Sequence, residues 1–476
     1  MPYRTLIAWF RRDLRLHDQA AFHHATRDAE AVIPLFVLDP ALLAPPFAGG
    51  ARLTFLLESL RELDRALTAL GSFLLLRHGE PLDAIRRVLR ESGAAGLYFN
   101  RDYAAPGRDR DAAVTAALKD DGAVVRSFAD QVLVEPWDLL TGRDRPYTVY
   151  TPYRNAWRTR HIDEPLPGPP PRISTPPLPT LPIPQAGAYG LAVDQSLPEP
   201  GEAAARRLLH RFTGGDQAPI DAYKVERNIP GHEGTSRLSP HLRHGTIGVR
   251  TAFAAARQAG ERAPAREGAR TWIGELAWRD FYHQWVWFHP HVLTHAFDPA
   301  LDDLPFSNDA GLFRAWCEGQ TGFPIVDAAM RQLNATGWMH NRLRMIAASF
   351  LCKDLLCDWR LGEDYFWQRL ADGDKPANVG GWQWSASTGV DPQPYFRIFN
   401  PTTQARRFDP DGAFIRRWVP ELRDVPPRYI HAPAALPPLD AQAIGFALDR
   451  EYPSPIVDHA MQRRRALELY GKAKGK

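Results

Sequence analysis

Four clusters in the second half of the chain bring together side chains that could do chemistry. The first is Thr235-Ser236-Arg237-Leu238-Ser239-Pro240. Hydroxyl residues before a proline mark a helix start, with Ser239 as N-cap and Pro240 at the first helical position. Such a terminus can also hold a phosphate, although capping alone explains the residues. The second is Trp272, Glu275, Trp278, Arg279 and Tyr282. On a helix, the last four share a face. They suit a polar, planar ligand, or else an amphipathic helix with Glu275–Arg279 as a surface pair. The third is Gly337-Trp338-Met339-His340-Asn341-Arg342-Leu343-Arg344-Met345. Asn341 falls on a face with Met345, and Trp338 with Arg342. His340 has no carboxylate or thiol at ligand spacing, so it reads as a core histidine rather than a metal ligand. The fourth runs from Asp372-Gly373-Asp374 through Asn378 to Gly380-Gly381-Trp382-Gln383-Trp384. The acidic turn lacks the rest of a calcium loop. The glycines permit close backbone approach. If the last segment is extended, the two tryptophans face one side; if helical, they diverge by about 200°.

These clusters need a scaffold. Over the first 130 or so residues, short apolar runs at Leu6 to Phe10, Val32 to Leu38, Phe73 to Leu76, Leu97 to Phe99 and Val124 to Phe128 alternate with helical spacing, as at Leu53, Leu56, Leu57, Leu60 and Leu63. That alternation predicts an α/β domain with a Rossmann-like parallel sheet. The turn after the first strand, Arg11-Arg12-Asp13-Leu14-Arg15, is not the Gly-x-Gly-x-x-Gly fingerprint, so a nucleotide cofactor is expected elsewhere. From Pro165 to Pro200 prolines are too dense for helix or central strand. Beyond Gly201 the spacing is helical over Glu202 to Phe212, Val249 to Arg257, Ala269 to Phe288, Ala328 to Asn334 and Arg342 to Asp358. The expected division is an α/β domain over 1–130, a connector over 131–200 and an all-α domain over 201–476.

Bulk properties narrow the class. Of 476 residues, 44% are hydrophobic and 24% charged, an ordinary globular balance. The net charge of +3 permits nucleic-acid binding without demanding it, since a local basic face matters more. Three cysteines, Cys317, Cys352 and Cys357, do not make a disulfide framework and fit a reducing cytoplasm. No segment reads as a membrane span or a secretory signal.

The order of the four clusters, together with Trp9-Phe10-Arg11-Arg12-Asp13-Leu14-Arg15 and Tyr395-Phe396-Arg397-Ile398-Phe399-Asn400-Pro401, resembles the photolyase/cryptochrome family over essentially the whole chain. Within it, the pattern is similar to the class I enzymes that repair cyclobutane pyrimidine dimers in DNA. The resemblance implies FAD, active as reduced FADH⁻, bound in the helical domain. Its site would use Tyr223, Thr235, Ser236, Arg237, Leu238, Ser239, Trp272, Glu275, Trp338, Arg344, Asp372, Gly373, Asp374 and Asn378. It implies a flipped-out dimer held by Glu275, Trp278, Arg279, Tyr282, Asn341, Arg342, Met345, Trp384 and Arg397. Glu275, Asn378, Trp382 and Trp359 are the implied catalytic and electron-transfer residues. Asn378 corresponds to the residue beside flavin N5, where plant cryptochromes carry Asp and animal cryptochromes Cys. Asn341 stands where six-four photolyases carry His, which favours cyclobutane dimers.

Two places depart from the family pattern. The third tryptophan of the family's electron-transfer chain is Phe306 here, and phenylalanine is a poor donor. At the antenna site, Pro106-Gly107 and Leu293-Thr294 replace the folate-type residues, while Arg52 and Asp102 match the deazaflavin type and Ala104 replaces its Glu. Deazaflavin, folate in another pose, or no antenna remain open. The implied partner is DNA containing pyrimidine dimers, with no membrane and a monomeric state. The rival is a cryptochrome-like photoreceptor without repair.

Overall fold

The computed structural model describes residues 2–43, 45–191 and 193–475. Five strands, β1 (Tyr3–Phe10), β2 (Ala29–Leu38), β3 (Leu75–His78), β4 (Gly96–Asn100) and β5 (Val124–Phe128), form one parallel sheet in the order β3-β2-β1-β4-β5. Strand β3 begins two residues later than the apolar run suggests. Helices α1 (Ala20–Asp28), α2 (Gly50–Ala69), α3 (Pro81–Ser92) and α4 (Ala105–Asp120) cover both faces. Strand β1 alternates between them. Leu6, Ala8 and Phe10 pack with Phe22 and Leu57 on one side. Ile7 and Trp9 pack with Ile85 and Val114 on the other. Burial on both faces is why this parallel strand is continuously apolar.

The strand order reverses between β1 and β4, where open α/β sheets form a crevice beyond the carboxyl ends. Ion pairs occupy it: Arg11 with Asp111, and Arg12 with Asp102 at 3.7 Å. Arg12 also reaches Asp374 in the helical domain.

The helical part is organised around α8 (Arg266–Phe288), which buries Trp272, Leu276, Phe281 and Trp285. Helix α5 (Tyr150–Trp157) lies against it through Tyr150, Tyr153 and Trp157. Asp280 on α8 accepts from Trp157 Nε1 at 2.9 Å, Leu133 N at 3.0 Å and Val134 N at 3.1 Å. Burial raises this carboxyl to about 6, against the pull of Arg279 and those donors. Between α5 and α8 come α6 (Pro219–Glu226) and α7 (Ser239–His244). After α8 come α9 (Pro324–Thr336), α10 (Asn341–Lys353), α11 (Trp359–Arg369) and α12 (Lys375–Ala386).

Two expectations change and one open alternative is settled. The predicted helix over Arg342 to Asp358 is two. Helix α10 ends at Lys353, Leu356 takes φ +54°, and Asp358 caps α11 by accepting from Arg360 N at 2.9 Å. Ser239 is the first helical residue of α7, and Leu238 holds the cap position without a side-chain bond. The predicted Ser239 cap therefore shifts by one residue, because Pro240 is also accommodated in the second helical position. The segment carrying Trp382 and Trp384 is helical, so the two indoles diverge. Gly380 is needed for close packing, since a Cβ there would lie 2.4 Å from the Tyr282 ring; one at Gly381 would meet nothing. No helix among the described residues is long and apolar enough to cross a membrane.

Candidate active site

Helices α7, α8, α10 and α12 converge on a cavity of about 450 Å³. It gathers most of the residues singled out in the sequence. Glu275, Trp278, Arg279 and Tyr282 line it from α8, as one helical face requires. Asn341, Arg342, Arg344 and Met345 line it from α10, and Asn378, Trp382 and Trp384 from α12. Ser239, Asp372, Gly373 and Asp374 complete the wall.

The polar groups here are ordered by specific bonds. Arg344 Nη2 donates to Asp372 Oδ2 at 2.7 Å, while the buried Asp372 Oδ1 has no partner. Arg243 Nε donates to the Gly373 carbonyl at 2.7 Å. Asp374 pairs with Arg12. Burial alone would raise its carboxyl, but Arg12, Arg243 and Arg279 outweigh burial and hold it far below the usual range. Asn378 Nδ2 donates to Glu363 Oε1 at 2.7 Å.

Glu275 pairs with Arg227 at 2.5 Å, not with Arg279. The expected surface pair fails because Arg279 turns away from Glu275 and donates to the Gln131 carbonyl. Burial pushes the Glu275 carboxyl up and Arg227 partly opposes it; 30% of the side chain still meets solvent.

The tryptophans separate by role. Trp278 and Trp384 are half-buried at the cavity, and Trp278 stacks on Tyr150 with centroids 3.6 Å apart and planes at 12°. One face of Trp278 is thus covered by protein. Trp382 is buried in the wall, and Trp359 is buried outside the lining.

The remaining expected residues surround the segment before α7. Trp272 Nε1 donates to Ser236 Oγ at 3.3 Å, and Trp338 Nε1 to Ser239 Oγ at 3.2 Å. Arg237 takes φ +52° and lies 5.0 Å over the Trp338 ring. Thr235 is half-buried beside it, and Leu238 is buried. Tyr223 is buried on α6, under the Arg227 guanidinium at 5.6 Å. Of these eight residues only Ser239 reaches the cavity lining itself. Arg397 is exposed and lies outside it. His340 is buried, and its Nδ1 accepts from Arg342 N at 3.1 Å, so it caps α10. Burial, with several nearby arginines, lowers it to about 3, so it is neutral.

Sequence reading missed Arg227, Arg243, Tyr150, Glu363 and Arg12. Each meets its partner across a long separation in the chain, and no spacing rule reports that. A larger cavity of about 570 Å³ borders Arg237 and Trp338 and carries Glu199, Glu233, Gln332 and Trp418, but none of Glu275, Asn341, Asp372, Asp374, Asn378 or Trp384 lines it.

Residues 6–171 match the DNA photolyase family, and residues 272–472 match the FAD binding domain of DNA photolyase. A deoxyribodipyrimidine photo-lyase from Halobacterium salinarum is 41% identical, covering 98% of this chain and 99% of the relative. A class III photolyase from Agrobacterium tumefaciens superposes with a TM-score of 0.92 at 36% identity, covering 100% of this chain and 99% of the other. A cryptochrome from Synechocystis superposes with a TM-score of 0.90 at 28% identity, covering 98% and 99%. A chain that shares both domains and full-length relatives with these proteins belongs to the DNA photolyase family.

Proposed function

We infer that the protein is a deoxyribodipyrimidine photo-lyase that repairs cyclobutane pyrimidine dimers in DNA, using FAD and light. The observation that carries this reading is one cavity that joins Arg344–Asp372, Asp374 and Asn378 to a mouth bearing Glu275, Trp278 and Trp384. The donor set fits FAD. The unpartnered Asp372 Oδ1 can accept from a flavin N–H, and Ser239 Oγ with the backbone at the start of α7 suits a pyrophosphate. Thr235, Ser236, Arg237, Leu238, Trp272, Trp338 and Tyr223 would hold the rest of the cofactor from behind that segment.

When bound, light-excited reduced FAD supplies the electron that splits the cyclobutane ring and receives it back. The chain's residues position, polarise and exclude water. Trp278 and Trp384 offer flat faces to a flipped dimer; photolyases are among the enzymes that take their target base out of the stack. Tyr150 backs one face of Trp278. Arg227 pairs with Glu275 Oε1; a hydrogen bond from Glu275 toward developing negative charge would need its carboxyl protonated, which burial favours and Arg227 opposes. Asn341 and Met345 line the wall beside it, with no proton-transfer group at Asn341. Arg279, Tyr282 and Arg342 complete the substrate side, and Arg397 outside the cavity suits a phosphate.

The proposed division remains 1–130, 131–200 and 201–476. It is supported by the sheet ending at Phe128 and by the lack of helix or strand over 161–185, although α5 lies within the connector. A reducing cytoplasm is proposed from the free cysteines, and a monomer from the family likeness. A deazaflavin or folate antenna, or none, fits the crevice residues. The cryptochrome likeness keeps a second reading in view, a photoreceptor without repair. The test is to purify the protein, record its absorption and illuminate it with dimer-containing DNA. Flavin absorption with light-dependent dimer loss is expected; no flavin overturns the reading, and flavin without repair favours the photoreceptor.

A further inference from the structure

Trp382 in the cavity wall touches a second indole that the four clusters did not include. The Trp316 ring lies 6.0 Å from it, at 71°. Trp316 is fully buried, with Nε1 donating to the Ala347 carbonyl at 3.1 Å. Its next oxidisable neighbour is Tyr365 on α11, at 5.8 Å and 63°. Tyr365 is half-buried, so it is the first ring of this series to meet solvent. Its hydroxyl lies 2.7 Å from Asn334 Oδ1 and 3.0 Å from the Cys317 carbonyl, both acceptors. Asn334 Nδ2 donates to the same carbonyl at 2.8 Å, which turns Oδ1 toward the phenol.

The route through Trp359 is less favourable. Trp359 makes no ring contact of this kind among the described residues, and the Arg360 guanidinium lies 4.9 Å over its face. A cation on an aromatic face opposes removal of an electron from it. Asp302 and Asp358 share that charge. Beyond it stands Phe306, whose ring cannot be oxidised comparably and which touches Tyr470 at 6.5 Å.

We propose that Trp316 and Tyr365 form the outer leg of a path that reduces a flavin in the cavity through Trp382, with Tyr365 as the terminal donor. This rests on the FAD reading above. Trp382 gives one electron to the light-excited oxidised flavin. Trp316 restores Trp382 with one electron, and Tyr365 restores Trp316. Tyr365 then releases its phenolic proton to water and becomes a neutral tyrosyl radical. An external thiol returns one electron and one proton, and two spent thiols couple as a disulfide.

The test uses the full FAD-loaded chain with a thiol under blue light. Flavin absorbance follows reduction, and electron paramagnetic resonance on frozen illuminated samples follows the radical. The parent is expected to give a tyrosyl radical. Tyr365→Phe and Trp316→Phe should each lose it and reduce at least tenfold more slowly, while Tyr470→Phe keeps it. A parental rate in Tyr365→Phe, or loss of the radical only in Tyr470→Phe, overturns the proposal. Should Tyr365→Phe fail to load FAD, Trp316→Phe with the parent spectrum decides the same leg. A parent that binds no flavin sinks the photo-lyase reading; loaded flavin with the radical elsewhere sinks only this path.

Discussion

Asn378 gives its side-chain nitrogen to Glu363 twice, at 2.7 Å to Oε1 and at 3.2 Å to the backbone carbonyl. Both partners are acceptors, so the amide nitrogen must face Glu363 and the oxygen is the atom left over. Lys375 holds both Glu363 carboxylate oxygens at 2.9 Å, which fixes the acceptor in turn. Glu363→Gln puts a donor beside that nitrogen and removes the Lys375 counter-charge. The variant should still load FAD, with the two-electron potential raised by at least about 30 mV, a tenfold gain of preference for the reduced form, because the uncompensated Lys375 cation favours added negative charge. Spectroelectrochemical titration measures it, and an unchanged potential would separate Asn378 from flavin tuning.

Tyr150 stacks on Trp278 and its hydroxyl donates to the Gly274 carbonyl at 2.6 Å. Trp278→Ala should weaken binding of dimer-containing DNA by about 5- to 100-fold, the range for one base-stacking aromatic. Tyr150→Ala should cost less, about 2- to 10-fold, as an aromatic pair is lost behind the contact. Tyr150→Phe should match the parent. Binding isotherms on damaged and undamaged duplexes separate these outcomes, since undamaged DNA should respond little.

Arg397 is exposed and outside the cavity, so its contribution should be to phosphate alone. Arg397→Ala is expected to weaken damaged and undamaged DNA equally and to lower the salt slope of log K by about 1. A change in the ratio between the two DNAs would place Arg397 against the lesion instead.

Arg12 at the end of β1 pairs with Asp374, tying the sheet to the cavity wall. The Asp374 carboxyl is depressed in the fold, so its pairing stabilises the protein above its ordinary value of 3.8 and is lost as pH falls through the lower folded value. Arg12→Ala leaves a buried carboxylate short of one partner. The cost should be up to about 3 kcal/mol at pH 7, the lower end for a broken buried pair, because Arg243 and Arg279 remain. Thermal midpoints of parent and variant should converge as pH drops below 4, if the protein remains folded there in both. A gap that stays constant would assign the loss to packing.

Much of the scaffold was legible in the residues. The strands β1, β2 and β4 follow their apolar runs because burial on both faces leaves few other residue choices, while the edge strand β5 matches its run although it is only partly buried. The shared face of Glu275, Trp278, Arg279 and Tyr282 followed from helical spacing, and all four line the cavity. The break between α10 and α11 was not legible as a helix end, since Leu356 adopts a positive φ that its side chain does not advertise.

The sequence by itself determined the family, the two kinds of domain, and the set of acidic, amide, indole and hydroxyl residues available to a flavin and a DNA lesion. Periodicity and motif order are local properties, and a single chain displays them. Only the tertiary structure decided that Glu275 answers to Arg227, that Asn378 answers to Glu363, that Tyr150 closes one face of Trp278, and that Trp382 meets Trp316. Those pairings join residues 15 to 128 positions apart, and packing of α5, α6, α11, α12 and the helix Ala310–Glu318 around α8 and α10 is what brings them into contact.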